Sequence, residues 1–247
     1  MSRASVLLCD ADGCLFPSEE PAFVASAKVT NELLADLGVA QRYLPDELRT
    51  MAVGKNFRAM AVELALSAGV TLDADELERR ALVERREVSA YLARVLAPDP
   101  SVQEPLTRLA ERLELAVVSS SALARLDVCF EATDLAALFP AHVRFSAEDS
   151  LPVATSKPDP AVYALAGERL GVSGNEALAV EDSVAGVRSA RAAGFPTVGN
   201  VLFVAESERE ERRTALLDAG AAGVVSSWWE LSDLLDADVA APARALG

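Results

Sequence analysis

Apolar residues in this chain follow two patterns: short continuous runs, and longer stretches in which they recur at helical spacing. The first run, Val6 to Cys9, stops abruptly at the loop Asp10-Ala11-Asp12-Gly13. Short apolar runs indicate buried strands, and apolar residues three and four apart indicate helices that bury one face. Further strands are predicted at 115–118, 143–145, 177–180, 196–198 and 223–225. Helices are predicted before and between these strands, at 102–113, 122–133, 160–170, 184–193 and 206–219.

The segment between the first strand and residue 101 has a different pattern. Phe16 to Pro21 and Ala97 to Ser101 are predicted to be proline-marked linkers, and the stretches between them have helical spacing, at 23–37, 57–68 and 75–96. Alternating strands and helices predict a parallel sheet joined by right-handed crossovers. We therefore predict an α/β fold, with a Rossmann-like parallel sheet core formed by residues 1–16 and 98–247 and an all-α domain inserted at 17–97.

The last helix is predicted to begin at Trp228-Trp229. Tryptophan has a large apolar ring and a polar N–H, and it is common both in cores and at interfaces. The pair is expected to pack this helix onto the edge of the sheet or to form a subunit contact.

Composition narrows the range of partners. The 247 residues include 38 Asp and Glu against 23 Lys and Arg, a formal net charge of −15 at pH 7. This excess disfavours nucleic acid and anionic membranes as partners. The three cysteines lack disulfide or zinc spacing, and neither a spanning segment nor a signal peptide is recognisable. We expect a cytoplasmic protein, monomeric or homodimeric, that acts on a small molecule.

Two acids directly follow the first predicted strand. Side chains two residues apart project to the same side of an extended segment, and open α/β sheets bind ligands at the carboxyl ends of their strands. Asp10 and Asp12 are therefore expected to face one reacting group. For these four residues taken alone, an ordinary Asp-Gly turn is the alternative.

Three further polar clusters follow predicted strands. Ser119-Ser120-Ser121 precedes a helix, where serine caps the helix or helps to bind an anion. Lys157 lies in a proline-flanked loop, which either holds its charge in place for catalysis or leaves it solvated. Glu181 and Asp182 are adjacent carboxylates, which either cap the next helix or share a divalent cation such as Mg²⁺.

In this order, Asp10-Ala11-Asp12-Gly13, Ser119, Lys157 and Glu181-Asp182 resemble the four motifs of the haloacid dehalogenase-like (HAD) superfamily, in its phosphatase and β-phosphoglucomutase-like branch. The likeness extends over essentially the whole chain and includes a helical cap inserted between the first two motifs. It implies that Asp10 is the nucleophile that becomes an aspartyl phosphate and that Asp12 is the general acid and base. It also implies phosphate binding by Ser119, Ser120 and Lys157, and a Mg²⁺ held by Asp10, Asp12 through its backbone carbonyl, Glu181 and Asp182.

The resemblance implies a magnesium-dependent phosphatase of a small phosphorylated metabolite, such as a sugar phosphate or phosphoglycolate. A sugar-phosphate mutase of the β-phosphoglucomutase type shares these residues and stays open, as does a phosphometabolite-binding protein without catalysis. Dehalogenation is disfavoured, because dehalogenases of the superfamily work without magnesium and generally lack the second aspartate. Substrate choice would come from the cap, where Lys55 and Arg58 lie in a segment that resembles the turn reaching the active site. A solvated helix start is the alternative for these two residues.

Two positions depart from the usual pattern of the superfamily. Cys14 stands where Thr or Val is common, and Ser120 stands where Asn often follows the second motif. Neither change removes a charge that the chemistry needs. Ser120 alters the expected phosphate cradle, because hydroxyl and amide groups reach different partners.

Overall fold

The computed structural model of the chain describes residues 4–51 and 57–240, with side chains described as far as residue 237. The chain divides into two compact units. One combines Met1–Phe16 with Ala97–Gly247, and the other is Pro17–Leu96.

Parallel strands form the centre of the first unit. They are β1 (Val6–Cys9), β2 (Glu114–Ser119), β3 (Arg144–Ser146), β4 (Ala177–Glu181), β5 (Thr197–Asn200) and β6 (Val224–Val225). Their order in the sheet is β3-β2-β1-β4-β5-β6, and every neighbouring pair is parallel. After β3 the chain returns past β1 to begin β4, so the order of the strands reverses beside β1. The carboxyl edge at such a reversal is where open α/β sheets bind their ligands.

Helices follow or connect these strands: α5 (Pro100–Ala110), α6 (Leu123–Ala132), α7 (Ala161–Leu170), α8 (Val184–Ala192), α9 (Arg209–Asp218) and α10 (Trp228–Ala240). On one face of the sheet, Val6 and Leu8 belong to a buried cluster with Val162 of α7 and Phe195. Leu7, which alternates with them along β1, is also fully buried. Strands buried on both faces have continuous apolar runs, and the predicted α/β core is therefore confirmed.

The second unit contains α1 (Glu19–Asp36), α2 (Pro45–Met51), α3 (Phe57–Ser67) and α4 (Ala74–Val95), and its described residues contain no strand. Its buried cluster joins Leu34 of α1, Leu48 of α2 and Leu64 of α3. Helix α2 was not predicted from the sequence. Its apolar positions are few, and only Leu48 is buried.

Both predicted linkers are shorter than expected, because helices begin inside them. Helix α1 starts at Glu19, and α5 starts at Pro100 behind an Asp99 carboxylate that accepts a hydrogen bond from the Ser101 N–H. The first backbone N–H groups of a helix have no partner within it, so proline is tolerated in the first turn and acidic residues are favoured there. Pro21 and Pro100 therefore lie in the first turns of α1 and α5, and Pro17 and Pro98 precede these helices.

We find no helix among the described residues that is long and apolar enough to cross a membrane.

Candidate active site

The loop after β1 carries the two aspartates of the first motif. Asp10 is only 6% exposed, and its backbone N–H donates to the carbonyl of Val180 on the neighbouring β4. Gly13 turns the loop with a φ of +77°, and a Cβ at this position would lie 2.3 Å from Oδ2 of Asp182. Only glycine permits both this backbone conformation and this approach. The glycine therefore brings the loops after β1 and β4 together.

The Lys157 ammonium donates hydrogen bonds to two carboxylates of the site and to one backbone carbonyl. Its Nζ lies 2.5 Å from Oδ1 of Asp10 and 2.5 Å from Oε1 of Glu181, and it also donates to the Val118 carbonyl at 2.7 Å. The three donors of the ammonium are thus matched by three acceptors. The alternative of a solvated lysine is wrong, because the side chain is only 5% exposed.

Burial and charge shift the ionisation of this pair. Burial raises the pKa of Asp10 to about 8, with Lys157 opposing the rise and Glu181 adding to it. Burial alone would lower the pKa of Lys157, but the carboxylates of Asp10 and Glu181 outweigh this and hold it above its ordinary value. The lysine therefore stays charged, and further positive charge beside Asp10 would favour the ionised form of this carboxyl group.

Glu181 is fully buried, and its carboxylate forms an ion pair with Lys157. Its Oε1 accepts from the Tyr163 hydroxyl at 2.6 Å as well as from Lys157. Gly186, near the start of α8, makes room for it, because a Cβ there would lie 1.7 Å from Oε2 of Glu181. Tyr163 was not predicted as a site residue. Its place near the start of the helix that follows the Lys157 loop was the available signal, but an aromatic residue on a buried helix face usually indicates core packing alone.

Two side chains engage the carboxylate of Asp12. The Ser121 hydroxyl donates to Oδ2 at 2.6 Å, and the Arg125 guanidinium donates to Oδ1 at 2.8 Å. Ser121 was predicted only as part of a serine cluster, and Arg125 was not predicted at all. No motif marks an arginine in the first turn of α6.

The remaining serines of the second motif order the loop after β2. Ser119 is buried, and its hydroxyl accepts from the Ser121 N–H at 3.0 Å. The Ser120 hydroxyl accepts from the backbone N–H of Lys157 at 3.1 Å, so it ties the second motif to the third. The helix that follows begins at Leu123 and is not capped by any of these serines.

Three carboxylates can offer oxygen atoms to a cation. Oxygens of Asp10, Glu181 and Asp182 all lie within 4.8 Å of one another, and all three residues are buried. Buried carboxylates at this spacing suit a hard divalent ion, which prefers oxygen ligands. Oε1 of Glu181 already accepts from both Lys157 and Tyr163, which makes this oxygen a poor metal ligand.

The thiols contribute no reactive group to this site. Cys9, Cys14 and Cys129 are all free and buried, and burial raises the pKa of each thiol above its ordinary value. The thiolate is the nucleophilic form, so these environments oppose its formation.

The two cap residues proposed for substrate binding have different outcomes. Lys55 lies outside the described residues. Arg58 is the second residue of α3, and its guanidinium donates two hydrogen bonds to the Glu78 carboxylate of α4, at 2.7 and 2.8 Å.

Comparison with known proteins agrees with this arrangement. A family model for haloacid dehalogenase-like hydrolases matches residues 4–194. The plasmid-encoded protein CbbY of Cupriavidus necator is 31% identical over 208 residues, covering 78% of this chain and 76% of that protein. A phosphoglycolate phosphatase of Caulobacter vibrioides is 35% identical over 167 residues, covering 65% of this chain and 67% of that enzyme.

Among solved structures, CbbY from Rhodobacter sphaeroides in complex with xylulose-1,5-bisphosphate matches with a TM-score of 0.69 at 24% identity, covering 92% of this chain and 96% of that one. This likeness shows the fold. The family match and the curated relatives show that the chain belongs to the haloacid dehalogenase-like hydrolases, as an enzyme of their phosphatase branch.

Proposed function

We propose that this enzyme hydrolyses a small phosphate monoester through a phosphorylated Asp10, with Mg²⁺ as its cofactor. The observation that carries the proposal is the buried Asp10 carboxylate, held 2.5 Å from Lys157 beside the carboxylates of Glu181 and Asp182. A nucleophile fixed in this way needs little reorganisation when it reacts.

Asp10 and Asp12 have different tasks in the proposed reaction. An oxygen of Asp10 forms a bond to phosphorus while the bond from phosphorus to the leaving oxygen breaks, and that oxygen takes a proton from Asp12. Water then attacks the phosphorus of the aspartyl phosphate and gives a proton to Asp12. This second step releases inorganic phosphate and restores the Asp10 carboxylate. The two carboxyl groups stand in different environments, as two roles require.

The phosphoryl group meets a cation and a set of donors at the carboxyl edge of the sheet. Lys157 places a permanent positive charge against the nucleophile, and Ser119 and Ser120 are the proposed phosphate-binding hydroxyls. Asp10 and Asp182 would hold Mg²⁺, with the Asp12 carbonyl as a further proposed ligand. When bound, the ion supplies positive charge against the repulsion between the carboxylate and the phosphate.

Residues 17–97 are proposed to form the cap that selects the substrate. The relatives narrow its class: one is a phosphoglycolate phosphatase, and another binds a sugar bisphosphate. We therefore propose a sugar phosphate or phosphoglycolate as the substrate, with Lys55 and Arg58 as candidate contacts for its polar end.

Release of inorganic phosphate from a panel of sugar phosphates, nucleotides and phosphoglycolate tests this proposal. The wild-type enzyme is measured with Mg²⁺ and with EDTA, beside Asp10→Asn and the control Asp218→Asn, an exposed residue of α9. We expect release that EDTA stops, that Mg²⁺ restores, that Asp10→Asn abolishes and that the control leaves intact. Turnover that survives in Asp10→Asn would overturn the covalent mechanism, and turnover unaffected by EDTA would overturn the metal assignment.

A further inference from the structure

Arg125 contacts Asp12, a carboxylate of the site with which Lys157 makes no ion pair. Its terminal nitrogen donates to Oδ1 of Asp12 at 2.8 Å, while Ser121 occupies the other oxygen. We propose that Arg125 is a positioning residue, which fixes the orientation of the Asp12 carboxyl group for proton transfer to the leaving oxygen. This inference rests on the proposed function, in which Asp12 is the general acid and base.

The position of Arg125 in its helix supports a role outside that helix. It is the third residue of α6, which begins at Leu123. A positive charge in the first turn is unfavourable, because it opposes the helix dipole. The favourable charge at this helix end comes from Asp149, whose carboxylate accepts from the Leu123 N–H at 2.7 Å. The charge of Arg125 therefore does not stabilise its own helix through the dipole, and it forms an ion pair with Asp12.

The Arg125 side chain also acts on Cys129, one turn further along α6. Burial raises the pKa of this fully buried thiol, and the Arg125 charge opposes the rise, so the two side chains are close to each other. The Arg125 side chain is 24% exposed and that of Asp12 is 17% exposed, so the pair is largely shielded from water. The guanidinium is planar, so an ion pair with it restricts the orientation of the Asp12 carboxyl group.

Orientation matters for a proton donor because its carboxyl group rotates over a broad range. Arg125 donates to Oδ1, so the proton of the acid form would reside on Oδ2, where the Ser121 hydroxyl can change from donor to acceptor. General acid catalysis is most valuable when the leaving oxygen is strongly basic, as in an alkyl phosphate. An aryl phosphate such as p-nitrophenyl phosphate releases a weakly basic oxygen and needs little protonation. The contribution of Arg125 should therefore depend on the leaving group.

The experiment compares kcat/KM for p-nitrophenyl phosphate with kcat/KM for the best alkyl phosphate of the substrate panel. The parameter kcat/KM includes the first chemical step, in which Asp12 acts as an acid. We expect Arg125→Met to lower kcat/KM for the alkyl phosphate by about 10- to 100-fold, part of the full effect of a general acid, and to change the aryl value by less than about 3-fold. Arg125→Lys keeps the positive charge but lacks the planar guanidinium. We therefore expect an intermediate loss of kcat/KM, with the same dependence on the leaving group.

The control is Arg108→Met, which breaks an arginine–aspartate ion pair with Asp236 of α10, away from the site. It should leave both values unchanged. Equal losses on the two substrates in Arg125→Met would overturn the inference, because they would indicate that Arg125 binds phosphate or merely supports the fold. An unchanged alkyl value would also overturn it. If Arg125→Met does not fold, the same comparison in Arg125→Lys decides the question.

Asp10→Asn separates this inference from the proposed function. If Asp10→Asn is inactive while the loss in Arg125→Met is independent of the leaving group, the inference fails alone. If Asp10→Asn turns over both substrates, the proposed function fails.

Discussion

The hydrogen bond from Tyr163 to Glu181 can be removed with little other change to the protein. Tyr163→Phe deletes one oxygen, which lies 2.6 Å from Oε1 of Glu181, and both residues have no exposed surface. Burial and then the Glu181 charge raise the pKa of Tyr163 above its ordinary value, so the hydroxyl stays protonated and donates at any working pH. The variant therefore tests one hydrogen bond to one buried carboxylate.

The expected magnitude follows from that environment. A hydrogen bond to a charged group contributes roughly 1.5–3 kcal/mol to stability, and a buried acceptor that loses a donor has no water to replace it. We expect Tyr163→Phe to lower the free energy of unfolding by about 1.5–3 kcal/mol. For a chain of this size, that corresponds to a fall in Tm of about 3–12 °C.

Urea unfolding followed by tryptophan fluorescence measures this loss. The two tryptophans, Trp228 and Trp229, both lie in the sheet-containing unit, so the signal reports the unfolding of that unit. The midpoint should fall while the slope m stays the same, because the surface exposed on unfolding is unchanged. The control is Tyr91→Phe in α4, whose half-buried ring lies under Arg94. A midpoint for Tyr163→Phe equal to that of the wild type or of the control would refute the reasoning.

Two further predictions concern the same group of carboxylates. Gly186→Ala should lower stability and phosphatase activity, because its Cβ would lie 1.7 Å from Oε2 of Glu181 and force that side chain away from Lys157; we expect a cost of about 1–3 kcal/mol in urea unfolding. Gly223→Ala, where a Cβ meets nothing within 4 Å, is the matched control, and equal behaviour of the two variants would contradict the packing argument. The affinity for Mg²⁺ should rise with pH and level off near the raised pKa of Asp10, about 8, because below that pH the ion must displace a proton. Calorimetry in two buffers of different ionisation enthalpy should detect the released proton, and an affinity that does not change between about pH 6 and about pH 8 would contradict it.

The residues named from the sequence share a local signal. Asp10, Ser119 and Glu181 each lie at or just beyond the end of an apolar run, where a strand meets its loop. A run of this kind predicts the strand, and parallel topology brings the carboxyl ends of the strands to one edge. The approach of Asp10 and Glu181 was therefore within reach of pattern reasoning, although the distance was not. Lys157 lies well beyond the end of β3, and only its proline-flanked loop drew attention to it.

The residues that escaped prediction lie on helices. Tyr163 and Arg125 are in the first turns of α7 and α6, where nothing in the spacing tells which side chain reaches back to the carboxyl edge. Their roles depend on how each helix is rotated against the sheet, which packing decides and local propensity does not. Trp228 was easier to interpret, since a large ring was expected to pack the last helix onto the sheet. It is fully buried, and its indole N–H donates to the carbonyl of Cys14 in the loop after β1.

The balance of charge explains why a divalent cation is proposed at this site. Asp10, Glu181 and Asp182 are three buried carboxylates, and Lys157 places one positive charge against two of them, Asp10 and Glu181. Asp12 is paired with Arg125. Carboxylates gathered in a buried site repel one another, and they would also repel a phosphate dianion. A divalent cation would place two positive charges against this group, whereas a second lysine would place only one. EDTA should therefore disfavour both the ionisation of Asp10 and the approach of the substrate, and its effect on phosphate release tests the mechanism.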